Sequence, residues 1–150
     1  MTARAASAAP QLYWQEPMPT EVRLAIEPHL HRFLYLLPGW CYELRIGWDE
    51  ADANGILKTN IIPEYRGGRL TVCPGFFRRS EEQRQDDVVH EMVHFSIEPL
   101  RDVACGFVDE IEKAKPGFKD MGVEAVRKAV EGAVCDVTEL VFRALGRRSS

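Results

Sequence analysis

A chain of 150 residues, 45% of them hydrophobic, is long enough to bury one respectable core, and no stretch approaches the length of a membrane span. Nineteen basic against 23 acidic side chains leave a formal net charge of −4, which gives no case for binding nucleic acid or an anionic membrane. The four cysteines, none in C-x-x-C spacing, read as free thiols of a reducing compartment rather than as a disulfide framework.

In chain order, residues 1–19 read as a flexible tail. Its Ala-rich start has a single Arg and lacks the apolar core of roughly 7–15 residues that export requires, so a cytoplasmic location is expected. Thr20 is a plausible N-cap for a helix over 20–37, with Pro28 kinking it or starting a second piece. A strand is predicted over 41–48, then a polar turn over 49–55, which is acidic but lacks the ligand pattern of a calcium loop. Two strands, 56–66 and 69–76, follow, joined by Gly67-Gly68 as a two-residue hairpin, with Pro63 keeping the first at an edge or a bulge.

The next helix has clear punctuation. Ser80-Glu81-Glu82-Gln83 fits a capping box, and Glu98 precedes Pro99, which disfavours helical backbone, so the helix is expected over 81–97. A further helix is expected over 100–115 and a last one over 120–145, with Gly146 as its C′ residue and Arg147 and Arg148 as solvated flanking charges. The expected architecture is α+β: one domain over 20–146, with a small mixed sheet packed on the 81–97 helix and the C-terminal helix beside it.

Inside the 81–97 helix lies His90-Glu91-Met92-Val93-His94, which reads H-E-x-x-H. Residues four apart on a helix lie almost above one another, so His90 and His94 offer two imidazoles to one point, and Zn²⁺ takes imidazole nitrogen readily. Glu91 stands about a sixth of a turn from that axis, too far round to be a ligand yet placed to accept a proton from water activated there. The alternative is a polar patch on an ordinary surface helix. Against it, Val88, Val89, Met92 and Phe95 form an apolar back, which leaves the His-Glu-His face to look into a cleft.

Two histidines make an incomplete catalytic zinc site, which usually has three protein ligands. His29 and His31 lie far upstream and point to different faces of their helix, and no histidine follows His94, so the third ligand should be acidic. The C-terminal helix is the place to look. Its apolar arc holds Val123, Val126, Val130, Val134, Val137, Val141 and Ala144, widened by Cys135, Phe142 and Leu145. Glu131 borders this arc, in line with Cys135 and Thr138, whereas Asp136 and Glu139 fall on the charged side. Glu131 is therefore the first choice of ligand, with Asp136, Glu139 and the Cys135 thiol as alternatives; the bland reading pairs Glu131 with Arg127 or Lys128.

His90-Glu91-x-x-His94 followed by an acid on a later helix resembles the gluzincin branch of the zincin metallopeptidases, and more narrowly their very small one-domain bacterial and phage members. The likeness covers residues 69–145 and is specific only over the motif. It implies a zinc peptidase with Glu91 as general base, a strand at 69–73 leading toward the motif helix, and the ligand glutamate within 130–134. One departure stands out: gluzincins often carry an Asp four residues after that glutamate, and here Cys135 occupies the position.

The expected chemistry is hydrolysis of a peptide bond in a peptide or protein substrate, with Zn²⁺ as the cofactor held by His90, His94 and Glu131. Tyr42 and Tyr65 are candidate donors to the oxyanion on chemical grounds, and an edge strand near 69–76 is expected to hold substrate by strand addition. A non-catalytic zinc-binding interaction or regulatory protein is the alternative, and a metal-free helical adaptor the weakest reading. An intact Glu91 favours catalysis, since a structural site closed by four protein ligands has no use for a base.

Overall fold

The computed structural model describes residues 10–146, so residues 1–9 of the expected tail, Arg147 and Arg148 lie outside it. The order of elements is β1 (Gln11–Trp14), α1 (Thr20–Phe33), β2 (Glu43–Trp48), β3 (Leu57–Ile62), β4 (Gly67–Val72), α2 (Glu81–Ala114) and α3 (Lys119–Ala144). The strands form one mixed sheet in the order β1-β2-β4-β3, parallel except where β3 meets β4. The α+β class is therefore correct. The described chain divides into two compact units, the first ending at Phe95 and the second beginning at Ser96.

In the first unit, alternation along the strands builds the core. Leu44 and Ile46 on β2 and Leu70 and Val72 on β4 are fully buried on one face. Val22, Ile26, Leu30 and Phe33 of α1 and Val88, Val89, Met92 and Phe95 of α2 are buried as well, so the apolar back expected of the motif helix is present. The capping box forms as predicted: Gln83 N–H donates to Ser80 Oγ at 3.3 Å, and Ser80 N–H to Gln83 Oε1 at 3.0 Å. The 49–55 segment is a turn, in which Asp52 Oδ1 accepts the Gly55 N–H at 2.9 Å and Lys58 reaches Asp52 at 2.7 Å.

Three expectations are corrected here. Residues 11–14 are not part of a tail; they form β1 and pair in parallel with β2, a partner too distant in sequence for a four-residue strand to announce. The glycine pair is not a hairpin turn. Gly67 and Gly68 lie inside β4, and the chain reverses through a short 3-10 turn at Pro63–Tyr65 and Arg66, whose φ is 53°. The glycines serve close packing: a Cβ on Gly68 would stand 2.6 Å from the Phe95 ring, and one on Gly67 would stand 2.8 Å from the Glu43 carbonyl oxygen. Nor is β4 an edge; it lies between β2 and β3, and the outer strands are β1 and β3.

The expected stop before Pro99 also fails, because α2 continues through the proline to Ala114 and absorbs the predicted 100–115 helix. Proline removes one backbone donor, the one that would bond Phe95, and disfavours rather than forbids helix at the residue before it. A helix of 34 residues keeps its remaining bonds, and Arg101 pairs with Glu98 across the site. In the second unit this latter part of α2 turns back into α3 through Gly117, at φ 92°. Glu112 joins the two helices: its carboxylate accepts the N–H groups of Gly117, Phe118 and Lys119 at 2.9, 2.7 and 2.7 Å. Those backbone bonds, Gly117's foremost, hold its pKa below the usual carboxylate range, as suits an anion at a helix N-terminus.

Candidate metal centre

His90, Glu91 and His94 occupy successive turns of α2 near the end of the first unit, all half-buried. The fully buried Val88, Val89, Met92 and Phe95 set the rotation of the helix, and the i, i+4 spacing brings the imidazoles together. Their Nε2 atoms lie 3.2 Å apart, with ring centroids at 4.9 Å and ring planes at 70°. An ion bound tetrahedrally at 2.0–2.1 Å from each nitrogen would need them about 3.3 Å apart. The spacing of the pair therefore matches what a tetrahedral ion shared by the two rings would need. One carboxylate oxygen of Glu91 lies within 4.8 Å of a nitrogen of each histidine, a spacing that keeps the acid beside the metal position.

Thr59 completes the arrangement. Its Oγ1–H donates to Glu91 Oε2 at 2.7 Å, so the carboxylate is held by an outer strand of the sheet as well as by its own helix. The residue was not foreseen. Its signal is a polar side chain on the inward face of β3, between the half-buried Leu57 and Ile61, where the alternation calls for an apolar one.

The acids of α3 belong to the second unit. Glu131 is exposed and stands on the helical line that continues through the buried Val134, Thr138 and Phe142. The apolar arc is thus placed differently from expectation, since Val137, Ala144 and Leu145 are exposed while Thr138 and Gly122 are buried. Gly122 is buried because Val108 and Phe118 close over it, leaving a Cβ only 2.8 Å from Val108. Arg127 donates twice to Glu124 at 2.8 Å, with Glu131 adding a weaker charge attraction, and Lys128 reaches the Glu124 carboxylate at 3.5 Å. Glu139 accepts from Arg143 at 3.3 Å, and Asp136 and Cys135 are exposed.

The remaining candidates have other surroundings. Tyr65 is 82% exposed and lines a cavity on the sheet face turned away from Thr59, while Tyr42 is 45% exposed and accepts from Arg66 at 3.4 Å. His29 is buried against Phe76, and His31 is exposed. All four cysteines are free. No helix among the described residues is long and apolar enough to cross a membrane. Comparison with protein-family models finds no match, and neither the curated proteins nor the solved structures yield one.

Proposed function

We propose that this protein is a zinc-dependent peptidase of minimal zincin type. One observation carries the reading: two imidazole nitrogens 3.2 Å apart on consecutive helical turns, beside a carboxylate that a neighbouring strand holds in place. His90 and His94 are two ligands. Glu131 is proposed as the third from its sequence pattern, as an acid on the helical line that runs through the buried Val134, Thr138 and Phe142 of α3.

When bound, zinc supplies Lewis acidity toward the scissile carbonyl and makes water a stronger acid at neutral pH. Glu91 takes a proton from the water as its oxygen attacks the carbonyl carbon, then delivers that proton to the amine nitrogen as the C–N bond breaks. Thr59 is a positioning residue, since its hydroxyl fixes the Glu91 carboxylate before substrate arrives. The outer strand β3, which carries Thr59, replaces the 69–76 segment as the edge that holds an extended substrate through backbone hydrogen bonds.

The experiment is Glu91→Gln, which keeps the size of the side chain but cannot accept a proton at neutral pH. Wild-type protein loaded with zinc is expected to cleave members of a mixed peptide library, read by mass spectrometry, and a chelator is expected to stop it. The variant is expected to retain one zinc per chain and lose hydrolysis by roughly 10²–10⁴-fold. Chelator-sensitive cleavage undiminished in Glu91→Gln would overturn the mechanism, and zinc binding without cleavage in either protein would favour a regulatory zinc protein.

A further inference from the structure

The sheet of the first unit has a second face, opposite the Thr59 side chain, and its chemistry differs from that of the candidate metal centre. Register places Tyr13, Arg45, Arg69 and Asn60 side by side across all four strands. Neighbouring strands are about 4.8 Å apart, so two guanidinium-bearing residues stand in adjacent positions at the middle of the sheet. Like charges directly opposite one another are unfavourable unless something answers them. Arg45 has Glu43 at 3.4 Å, a largely exposed pair of little strength. The Arg69 guanidinium has no ion pair or hydrogen bond among the described residues.

Glycine shapes the space around these cations. The Arg69 guanidinium lies over Gly47, where a Cβ would stand 2.7 Å from its Nη2, so only glycine admits it in this position. The Gln15 side-chain oxygen lies beside the same glycine, buried and without a hydrogen-bond partner among the described residues. Together with Asn60, Ile62, Tyr65 and the Glu43 carboxylate that pairs with Arg45, these residues line a cavity of about 450 Å³. Ligand pockets commonly span roughly 300–1,000 Å³ and combine an apolar wall with a few convergent polar groups.

We propose that this cavity binds a small organic anion. Its phosphate or carboxylate group is held by the forks of Arg45 and Arg69, and its apolar body rests on Ile62 and Tyr65. Asn60 and Gln15 add amide groups that distinguish ligands by their hydroxyl and amine substituents. The site does not depend on the zinc reading, because Arg45, Arg69 and Asn60 point to the face opposite the one that meets Glu91.

The test is an ¹⁵N NMR titration of the full chain, with chelator present so that bound metal cannot capture the anion. Phenyl phosphate, benzoate and neutral benzyl alcohol are the probes. Saturable shifts at the amides of Gly47, Gly67 and Arg69 are expected with at least one of the two anions and not with the alcohol. The stronger of the two anions identifies the head group. Arg69→Gln and Arg45→Gln are each expected to weaken binding by about tenfold or more, with the spectrum otherwise unchanged because both side chains are exposed. Arg69→Lys, which keeps the charge and loses the fork, is expected to fall between. Absence of saturable shifts with both anions, or affinity unchanged in Arg69→Gln, would overturn the proposal.

Discussion

Replacing Thr59 by Val keeps the size and β-branching of the residue but removes the O–H that donates to Glu91 Oε2 at 2.7 Å. If the hydroxyl positions the proposed base, hydrolysis should fall by roughly 10- to 100-fold, the range expected for a hydrogen bond to a charged group. Zinc content should not change, and Thr59→Ser should restore most of the rate. A loss of metal in Thr59→Val would instead make the threonine a support of the ligand set. His29 offers a second test at this scale. It is 4% exposed, and desolvation lowers its pKa below the ordinary 6.5, with Glu81 opposing that shift and Arg84 and Arg32 adding to it. The unfolded chain then binds the proton more readily than the folded one, so the neutral ring's contribution to stability is complete above about pH 6.5 and is lost as pH falls below it. In metal-free protein, the melting temperature of wild type should approach that of His29→Gln on going from pH 7.5 to pH 5. A gap that widens on acidification would mean that Glu81 outweighs burial.

Among the elements, β4 and α2 show how packing overrides local signals. Gly68→Ala places a methyl 2.6 Å from the Phe95 ring and 2.9 Å from the Asn60 carbonyl oxygen, and backbone cannot yield as a flexible side-chain tip can. The substitution is expected to cost about 1–3 kcal/mol in chemical denaturation, the usual range for overpacking. Were Gly68 a turn residue, alanine would be tolerated or not according to φ alone, and Phe95→Leu in the same chain would not relieve the cost. Relief by the smaller side chain is the expected result. The Ser80–Gln83 box starts α2 where the residues say it should, because a cap is satisfied within one turn. The far end of the helix is not local in this sense. Pro99 costs one hydrogen bond, and the helix beyond it is retained where Val108 packs over Gly122 and Glu112 caps α3.

For the molecule as a whole, metal binding and folding are one equilibrium if the site exists only in the folded chain. Zinc at about 100 times its dissociation constant would add about 2.7 kcal/mol, which for a chain of this length raises the melting temperature by roughly 5–10 °C. His94→Ala should abolish that rise, and Glu131→Gln should reduce it strongly while Asp136→Asn leaves it nearly intact. Melting curves with and without zinc decide the matter. An equal rise in all four proteins would place the ion elsewhere, and a reduction only in Asp136→Asn would move the third ligand along α3.

What the residues determined unaided is what depends on near neighbours in the chain. The H-E-x-x-H spacing on a helix, the capping box at Ser80, the apolar back at Val88, Val89, Met92 and Phe95, and the glycine stop at Gly146 all follow from helical periodicity or from one turn of backbone. Tertiary structure decided whatever depends on partners far away in sequence. Gln11–Trp14 becomes a strand because β2 lies beside it, Gly67 and Gly68 are strand residues because Glu43 and Phe95 press on them, and β4 is interior because β2 and β3 flank it. Thr59 meets Glu91 across 32 positions of chain, a contact that no local pattern encodes. Sequence periodicity says which way a side chain points; the fold alone says what it meets there.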